Sequence, residues 1–408
     1  MLKVRRWRWN TIFSSLENRY FRWLWLGRLA SSATFQMGAV AQGWLVYRLT
    51  GSALALGWVG AGWSISALIL SLYGGALCNR VEKRDLLLWT RGAMVLNSLV
   101  LAVLATMGMI QVWHLAASSL FSGVIFAFMM PAQQAILAEL VEKGTLLNAV
   151  SLQSLGMGLM GIFAASLAGV VIEATGVDGV YYGMALLYLL ALFALTKLPK
   201  TGSSKAGALS IWSNLREGVR YIRFEPVLVA PLALALARVL LAMPYRTLMP
   251  KYAKDVLGFD ATGLGILAAA PGLGSLISSL VLASLGDFRG KGKLLLIAGM
   301  VMGGSLIAFV NTGYLPLVLL SLALLGAISN ACMVASQTLL QVNCADGFRG
   351  RVMSVYMMMW GLTPLGTIPA GALSDRFGVP PVITVQGMLF AAIFAAVFLF
   401  KPKIRRME

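Results

Sequence analysis

Residues 57–88 read GWVGAGWSISALILSLYGGALCNRVEKRDLLL, a long apolar run followed by a short basic segment. Gly57 and Lys83 of this stretch recur 208 positions later as Gly265 and Lys291, and the leucine triplet after Lys83 recurs with them. Further pairs separated by 203 positions are Gly123 and Gly326, Gln134 and Gln337, Ser151 and Ser354, and Gly158 and Gly361. The sequence therefore predicts a duplication whose halves run in the same direction.

The composition is that of a membrane protein. Hydrophobic residues make up 59% of the 408 residues and charged residues 12%, against roughly half and a quarter in soluble domains. The net charge is +18, but the basic residues lie in short gaps between apolar runs, which argues against nucleic-acid binding. The three cysteines have no metal-ligand or disulfide spacing.

About twelve apolar runs have the length of roughly 20 residues that crosses a bilayer. They are Phe21–Tyr47, Ala53–Leu77, Leu86–Met109, Trp113–Leu137, Leu147–Ile172, Val177–Thr196, Val227–Pro250, Thr262–Leu285, Leu294–Asn311, Leu315–Val342, Val352–Ser374 and Val382–Phe400. We expect an all-α integral membrane protein with about twelve transmembrane helices in two parallel-repeated six-helix bundles, residues 1–198 and 227–408. Lysine and arginine collect in alternate loops and at both termini, which predicts cytoplasmic termini.

The linker of residues 199–226 is the only long polar stretch. Ile211, Leu215, Val219 and Ile222 recur there at helical spacing, with arginines on another face. This pattern is typical of a basic amphipathic helix on the inner leaflet, although a short solvated connector helix would show it equally well.

The segment Gly75-Ala76-Leu77-Cys78-Asn79-Arg80-Val81-Glu82-Lys83-Arg84 resembles the loop signature G-x-x-x-D-R-x-G-R-K of the major facilitator superfamily. The resemblance implies a latch between the two halves. Its residues here would be Gly75, Asn79, Arg80, Arg84 and, in the second half, Asp287. Asn79 stands where the signature has Asp, which predicts a weaker latch in the first half. A partial copy around Asp375 follows the eleventh run.

Two further segments, residues 44–57 and 248–265, look like the bacterial exporter branch that includes enterobactin exporters and macrolide-type drug efflux proteins. The resemblance implies a monomeric carrier of the bacterial cytoplasmic membrane that works by alternating access. It implies no enzymatic activity and no cofactor or metal, and the partners would be a small-molecule substrate and membrane lipids. The Gly-Pro pair common in drug–proton antiporters is replaced by Ala164-Ala165.

Polar side chains inside a span are costly and are therefore candidates for the substrate site. Arg238 lies near the middle of the seventh run, with Arg246 two turns further on, and Arg28 lies less deep in the first run. Arg91 in the third run is expected to be an interfacial anchor. Other candidates for contact with the substrate are Gln36, Gln134 and Gln337 and the aromatic residues Tyr245 and Trp360.

Acidic residues are missing from the middle of every predicted run, and the one histidine, His114, is placed at the outer surface. Glu139, at the cytoplasmic end of the fourth run, is the remaining candidate for proton coupling. The leading hypothesis is a secondary active exporter of a medium-sized organic compound, drug or siderophore-like. Two alternatives remain: a carrier or flippase for an anionic lipid or metabolite without proton antiport, and a non-transporting receptor or scaffold.

Overall fold

The computed structural model describes residues 14–140, 146–200, 211–285, 290–345, 348–405 and 407, most of them in long helices. The helices are α1 Arg19–Thr50, α2 Ala53–Arg80, α3 Lys83–Thr106, α4 Val112–Leu140, α5 Leu146–Thr175, α6 Val177–Thr196, the linker helix Ile211–Phe224, the segmented α7 that begins at Pro226, α8 Ala261–Leu285, α9 Lys291–Asn311, α10 Leu315–Val342, the segmented α11 that begins at Arg349, and α12 Val379–Phe400. Short helices precede α1 at Ser14–Glu17 and follow α12 at Pro402–Arg405.

Two of these helices are interrupted. The segments of α7 are Pro226–Ala237, a π-helical turn at Arg238–Ala242, Pro244–Lys251 and a second π-helical turn at Tyr252–Val256. The segments of α11 are Arg349–Met358, a 3₁₀ turn at Met359–Leu362 and Pro364–Phe377. The apolar runs predicted the helices but not these interruptions.

Within the described residues, 10 helices are long and apolar enough to cross a membrane, namely α2 to α10 and α12. Helices α1 and α11 are of similar length but are not among these 10, for physical reasons. Helix α1 carries several arginines and glutamines, and α11 is broken into short segments.

The helices pack in two groups. In the first group, α1 packs on α5 and α6, and both α2 and α3 pack on α4. In the second group, α8 and α9 pack on α10, and α12 packs on α9. The groups meet where α2 lies against α11 and α5 against α8. We call the side with the α1–α2 and α11–α12 connections the α1–α2 end, and the opposite side the α2–α3 end.

Glycines bring the two groups into backbone contact near the α1–α2 end. A Cβ added to Gly371 would lie 2.6 Å from the Ala53 carbonyl oxygen, and one added to Gly169 would clash with the carbonyl oxygen of Ala261. The α2–α11 contact continues to Gly361, which faces Leu68. Ala53 and Leu68 are 15 residues apart, about 22 Å along a helix, so the contact is long.

The linker helix packs on the second group of helices. Gly218 lies against the backbone of Arg351, Glu217 forms a 3.0 Å ion pair with the same arginine, and Tyr221 stacks on Phe348 with ring centroids 4.2 Å apart. Val219, which the amphipathic pattern assigned to the apolar face, is exposed. Ile222 of the same predicted stripe packs on the second group beside Tyr221, and the side chains of Ile211 and Leu215 lie outside the described residues.

Candidate functional site

The π-helical turn in α7 follows from Pro244. Proline has no backbone N–H, so the Leu240 carbonyl loses its usual partner four residues on. The Met243 N–H bonds instead to the Arg238 carbonyl at 3.0 Å, one residue further back. Gly366 of α11 lies so close to the Leu240 carbonyl that an added Cβ would clash with its oxygen. The bulge therefore fits against a glycine on the neighbouring helix.

The 3₁₀ turn in α11 has the same origin. Pro364 cannot donate to the Trp360 carbonyl, and Thr363 replaces that bond with its backbone N–H at 3.2 Å and its hydroxyl at 2.5 Å. The two interruptions contact each other. Bulges of this kind in α-helices are frequent at functional sites, and here they hold the side chains of Arg238 and Trp360 side by side.

Arg238 lies at the centre of this site, and its side chain is only 2% exposed. Its guanidinium donates to the Ser329 hydroxyl of α10 at 3.4 Å and lies over the Trp360 ring, 5.3 Å from the centroid. The Tyr356 hydroxyl is buried beside Arg238 and Gln337 without a hydrogen bond of standard geometry. Among the described residues no carboxylate pairs with Arg238. The structure brings three predicted residues together: Arg238, Gln337 and Trp360.

Arg246 and Tyr245 form a second part of the candidate site. The Arg246 Nε donates to the Tyr245 hydroxyl at 3.4 Å. Tyr245 is buried against Phe309, with ring centroids 6.2 Å apart. The Arg246 side chain is exposed to solvent. Nearby, Gly43 of α1 lies against Pro250 of α7, so the two groups of helices meet close to this part of the site.

The two predicted glutamines of the first group, Gln36 and Gln134, have different surroundings. Gln36 contacts Gly161 of α5 where that glycine meets Gly272 of α8, at the junction of the two groups. Gln134 is exposed on α4. Its neighbour Gln133, which the repeat did not single out, is buried.

Arg28 faces the interior of the first group rather than the site around Arg238. It lines a small cavity with Arg91 and Gln133. The prediction that Arg91 is an interfacial anchor is wrong, because its side chain is 4% exposed and its guanidinium lies 5.9 Å from the centroid of the Tyr188 ring of α6. A count of depth along the chain could not show this, since it does not say which way a helix face points.

The predicted latch is described only in part. Gly75, Asn79 and Arg80 belong to the last turns of α2, and the described part of the chain leaves out their side chains and the whole of Asp287. Arg84 donates to the Thr196 carbonyl at the end of α6, at 2.8 Å. The latch across the two groups stays a prediction.

A polar cluster around Asp375, which we call the lock, joins the two groups of helices at the α1–α2 end. It was not predicted from the sequence. Asp375, near the end of α11, accepts the Ser52 hydroxyl at 2.6 Å and the backbone N–H groups of Ala53 and Leu54 at 2.7 and 3.0 Å. Lys251 of α7 adds an ion pair at 2.8 Å. Asp375 therefore caps the N-terminus of α2, where the helix dipole favours a negative charge. The partial copy of the loop signature around this residue was the signal for it.

A second polar contact joins the two groups of helices at the same end. The Tyr47 hydroxyl at the end of α1 donates to the Asp255 carboxylate of α7 at 2.5 Å. Lys251 and Lys254 lie over the Tyr47 ring, 5.9 and 5.8 Å from its centroid. Polar contacts thus join the two groups of helices at the α1–α2 end.

Glu139 forms an ion pair with Lys83 at 2.5 Å, near the α2–α3 end. The lysine side chain is 5% exposed and the glutamate side chain 37% exposed. The glutamate thus lies between a buried cation and solvent. The role of Glu139 in proton coupling stays a prediction.

Comparison with known proteins gives relatives of nearly the same length. The chain is 23% identical over 377 residues to the staphyloferrin A transporter of Staphylococcus aureus (strain NCTC 8325 / PS 47), covering 90% of this chain and 93% of that one. It is 24% identical to the multidrug efflux pump Tap of Mycolicibacterium fortuitum, covering 90% and 92%. It is 25% identical to the enterobactin exporter EntS of Escherichia coli (strain SMS-3-5 / SECEC), covering 86% and 82%.

Solved structures share the fold. A bacterial homologue of the human lysosomal transporter Spinster, in an inward-facing and unoccupied conformation, superposes with a TM-score of 0.74 at 14% identity, covering 95% of this chain and 97% of that one. A peptide transporter POT in complex with sulfate gives 0.77 at 13% identity, covering 96% of each. The family of transmembrane secretion effectors matches residues 10–408. The chain therefore belongs to this family of major facilitator transporters, and it is a multi-pass membrane protein rather than an enzyme.

Proposed function

We propose that this protein is a secondary transporter that exports a medium-sized organic compound, drug or siderophore-like, across the bacterial inner membrane. The observation that carries the proposal is the buried Arg238 beside Trp360 and Tyr356. It provides a cation and flat apolar surface where two interrupted helices meet. The named relatives, two of them for siderophores and one for drugs, support an organic substrate of this size.

In this proposal twelve helices span the membrane, α1 and α11 included, as two bundles of residues 1–198 and 227–408. The linker of residues 199–226 joins them, and both termini are cytoplasmic. The concentration of lysine and arginine at the α2–α3 end supports that orientation. Buried residues around α1 support a position of α1 inside the first bundle, and one buried face of α11 packs against its neighbours.

Transport by alternating access is supported by the polar contacts that close one end of the molecule. With cytoplasmic termini, the lock of Asp375 on α2 and of Tyr47 on Asp255 closes the outer side. Among the described residues, the polar contacts that join the two groups of helices, between Asp375 and α2 and between Tyr47 and Asp255, lie at this end. Rocking of the two bundles would break the outer lock and expose the same site to the outside.

The second candidate function is a carrier or flippase for an anionic lipid or metabolite that works without proton antiport. Arg238 and Arg246 favour it because neither pairs with a carboxylate among the described residues. Export that persists after collapse of the proton gradient would support this candidate, and export that stops would support proton-coupled efflux.

A thermal-shift screen of the purified protein tests the proposed substrate class. We expect siderophores or drugs to raise the melting temperature, because a ligand at 100 times its Kd stabilises the folded state by about 2.7 kcal/mol. Arg238→Ala should lose this shift and Arg48→Ala, an exposed control at the α1–α2 end, should keep it. Hits that shift both variants alike would place binding elsewhere, and lysolipids as the only hits would favour the second candidate.

Glu139→Gln tests proton coupling. If protonation of Glu139 releases Lys83, the variant should slow gradient-driven export by about tenfold, or about 1.4 kcal/mol, and retain substrate exchange without a gradient. Export and exchange are measured in proteoliposomes, with Asp85→Asn, an acid on α3 near Lys83, as the matched control. Equal gradient dependence in the wild type and Glu139→Gln would remove Glu139 from the coupling mechanism.

A further inference from the structure

Two arginines, the buried Arg91 and the partly buried Arg28, lie inside the first group of helices, away from the proposed substrate site. Arg28 of α1, Arg91 of α3 and Gln133 of α4 line one small cavity. Its other walls are apolar and come from α1, α3 and α6: Leu24, Gly27, Leu87, Ala191 and Leu195. Arg238 lies in the second group, on α7, so this cavity is a separate polar location.

The positive charge in this cavity has no acidic partner among the described residues. The Nη1 atom of Arg28 is buried and has no hydrogen-bond partner. Arg91 is 4% exposed, and besides the ring of Tyr188 its charged neighbour is Arg28 itself. Glu139, on the same helix as Gln133, is already paired with Lys83. Buried cations normally have a partner, because desolvation of an unpaired charge is costly.

We propose that the cavity between Arg28 and Arg91 binds a small monatomic anion of the chloride class. Both guanidiniums would donate to it, together with the Gln133 amide. The free space is close to that of one water molecule, which fits a halide and is too small for sulfate or a phosphate group. The apolar walls would exclude water and strengthen the attraction between the anion and the two cations.

The bound anion would hold the helices of the first group together. Arg28, Arg91 and Gln133 lie on α1, α3 and α4, and the Tyr188 ring of α6 covers one side of Arg91. An anion between these residues converts a repulsive pair of cations into a cross-link of three helices. Its effect should appear as stability of the whole protein, whichever compound is exported.

The test compares melting temperatures of the full chain in detergent, in sodium chloride and in sodium gluconate at equal ionic strength. Chloride well above its Kd should raise the melting temperature of the wild type by roughly 3 °C. Arg91→Gln should lose this response. Arg220→Gln, on the exposed face of the linker helix, should keep it. Equal melting temperatures of the wild type in both salts, or the same chloride response in Arg91→Gln, would overturn the proposal.

Bromide provides a measurement that does not depend on a folded variant. A crystal of the wild type soaked in bromide should show an anomalous-scattering peak between the guanidiniums of Arg28 and Arg91. A peak there supports the site even if Arg91→Gln fails to fold. Bromide peaks at other positions only, with none in this cavity, would overturn it.

Discussion

Arg238→Ala should lower export by about 100-fold, or about 2.7 kcal/mol, and leave the protein folded. The guanidinium is the buried donor of the site and contacts Ser329 and Trp360. A hydrogen bond to a charged group is worth about 1.5–3 kcal/mol, and alanine removes all of the donors at once. Folding should survive because the arginine has no carboxylate to leave unpaired among the described residues. Efflux from proteoliposomes and the melting temperature measure the two effects.

Two further variants separate charge from geometry at this position. Arg238→Lys keeps the charge but loses the planar group that lies over the Trp360 ring, so it should recover part of the export. Ser329→Ala removes a long 3.4 Å contact and should have a small effect. Full export by Arg238→Ala would show that the substrate does not use this cluster.

Asp375→Ala should open the α1–α2 end. The carboxylate accepts from Ser52, Ala53, Leu54 and Lys251, and its loss should cost the closed state about 2 kcal/mol, or about 30-fold in population. Spin labels at Leu49→Cys and Val256→Cys, both exposed near this end, should report longer distances in a background without the native cysteines. Arg376→Gln, at the neighbouring exposed residue, is the matched control.

This lock should also be insensitive to pH in the physiological range. Burial raises the pKa of Asp375, but the hydrogen bonds from Lys251, Ser52, Leu54 and Ala53 lower it further, to about 2. With a depressed pKa, the stabilisation is complete above the usual value of 3.8 and is lost as the pH falls through about 2. A distance distribution that changes between pH 5 and 8 in the wild type but not in Asp375→Asn would contradict this.

Much of the fold could be predicted from apolar run length, and the resemblance of Gly75–Arg84 to the superfamily signature was confirmed by the family match. The breaks in α7 and α11 could have been found too, since Pro244 and Pro364 remove backbone donors inside apolar runs. The direction of helix faces could not be read from depth alone. Arg91 shares a face with the buried residues Leu87 and Val95, and that spacing was the available signal.

The site was predicted less completely because it depends on contacts between distant segments. Arg238 and Trp360 are 122 positions apart, and only the two breaks bring them together. The repeat paired Gln134 with Gln337, yet one is exposed on α4 and the other lies beside Tyr356. Equivalent positions in a duplicated chain therefore do not have equivalent surroundings when one half carries interruptions that the other lacks.

The glycine contacts between the two groups of helices have a consequence for the speed of transport. Where Gly371 meets the Ala53 backbone and Gly169 meets that of Ala261, the surfaces carry almost no rotatable bonds. Ordering a long side chain costs up to about 2 kcal/mol in rotamer entropy, whereas glycine and alanine cost close to none. In the proposed alternating access such surfaces would separate and meet again without repacking, so friction between the two groups should be low and the polar lock at Asp375 should set most of the barrier.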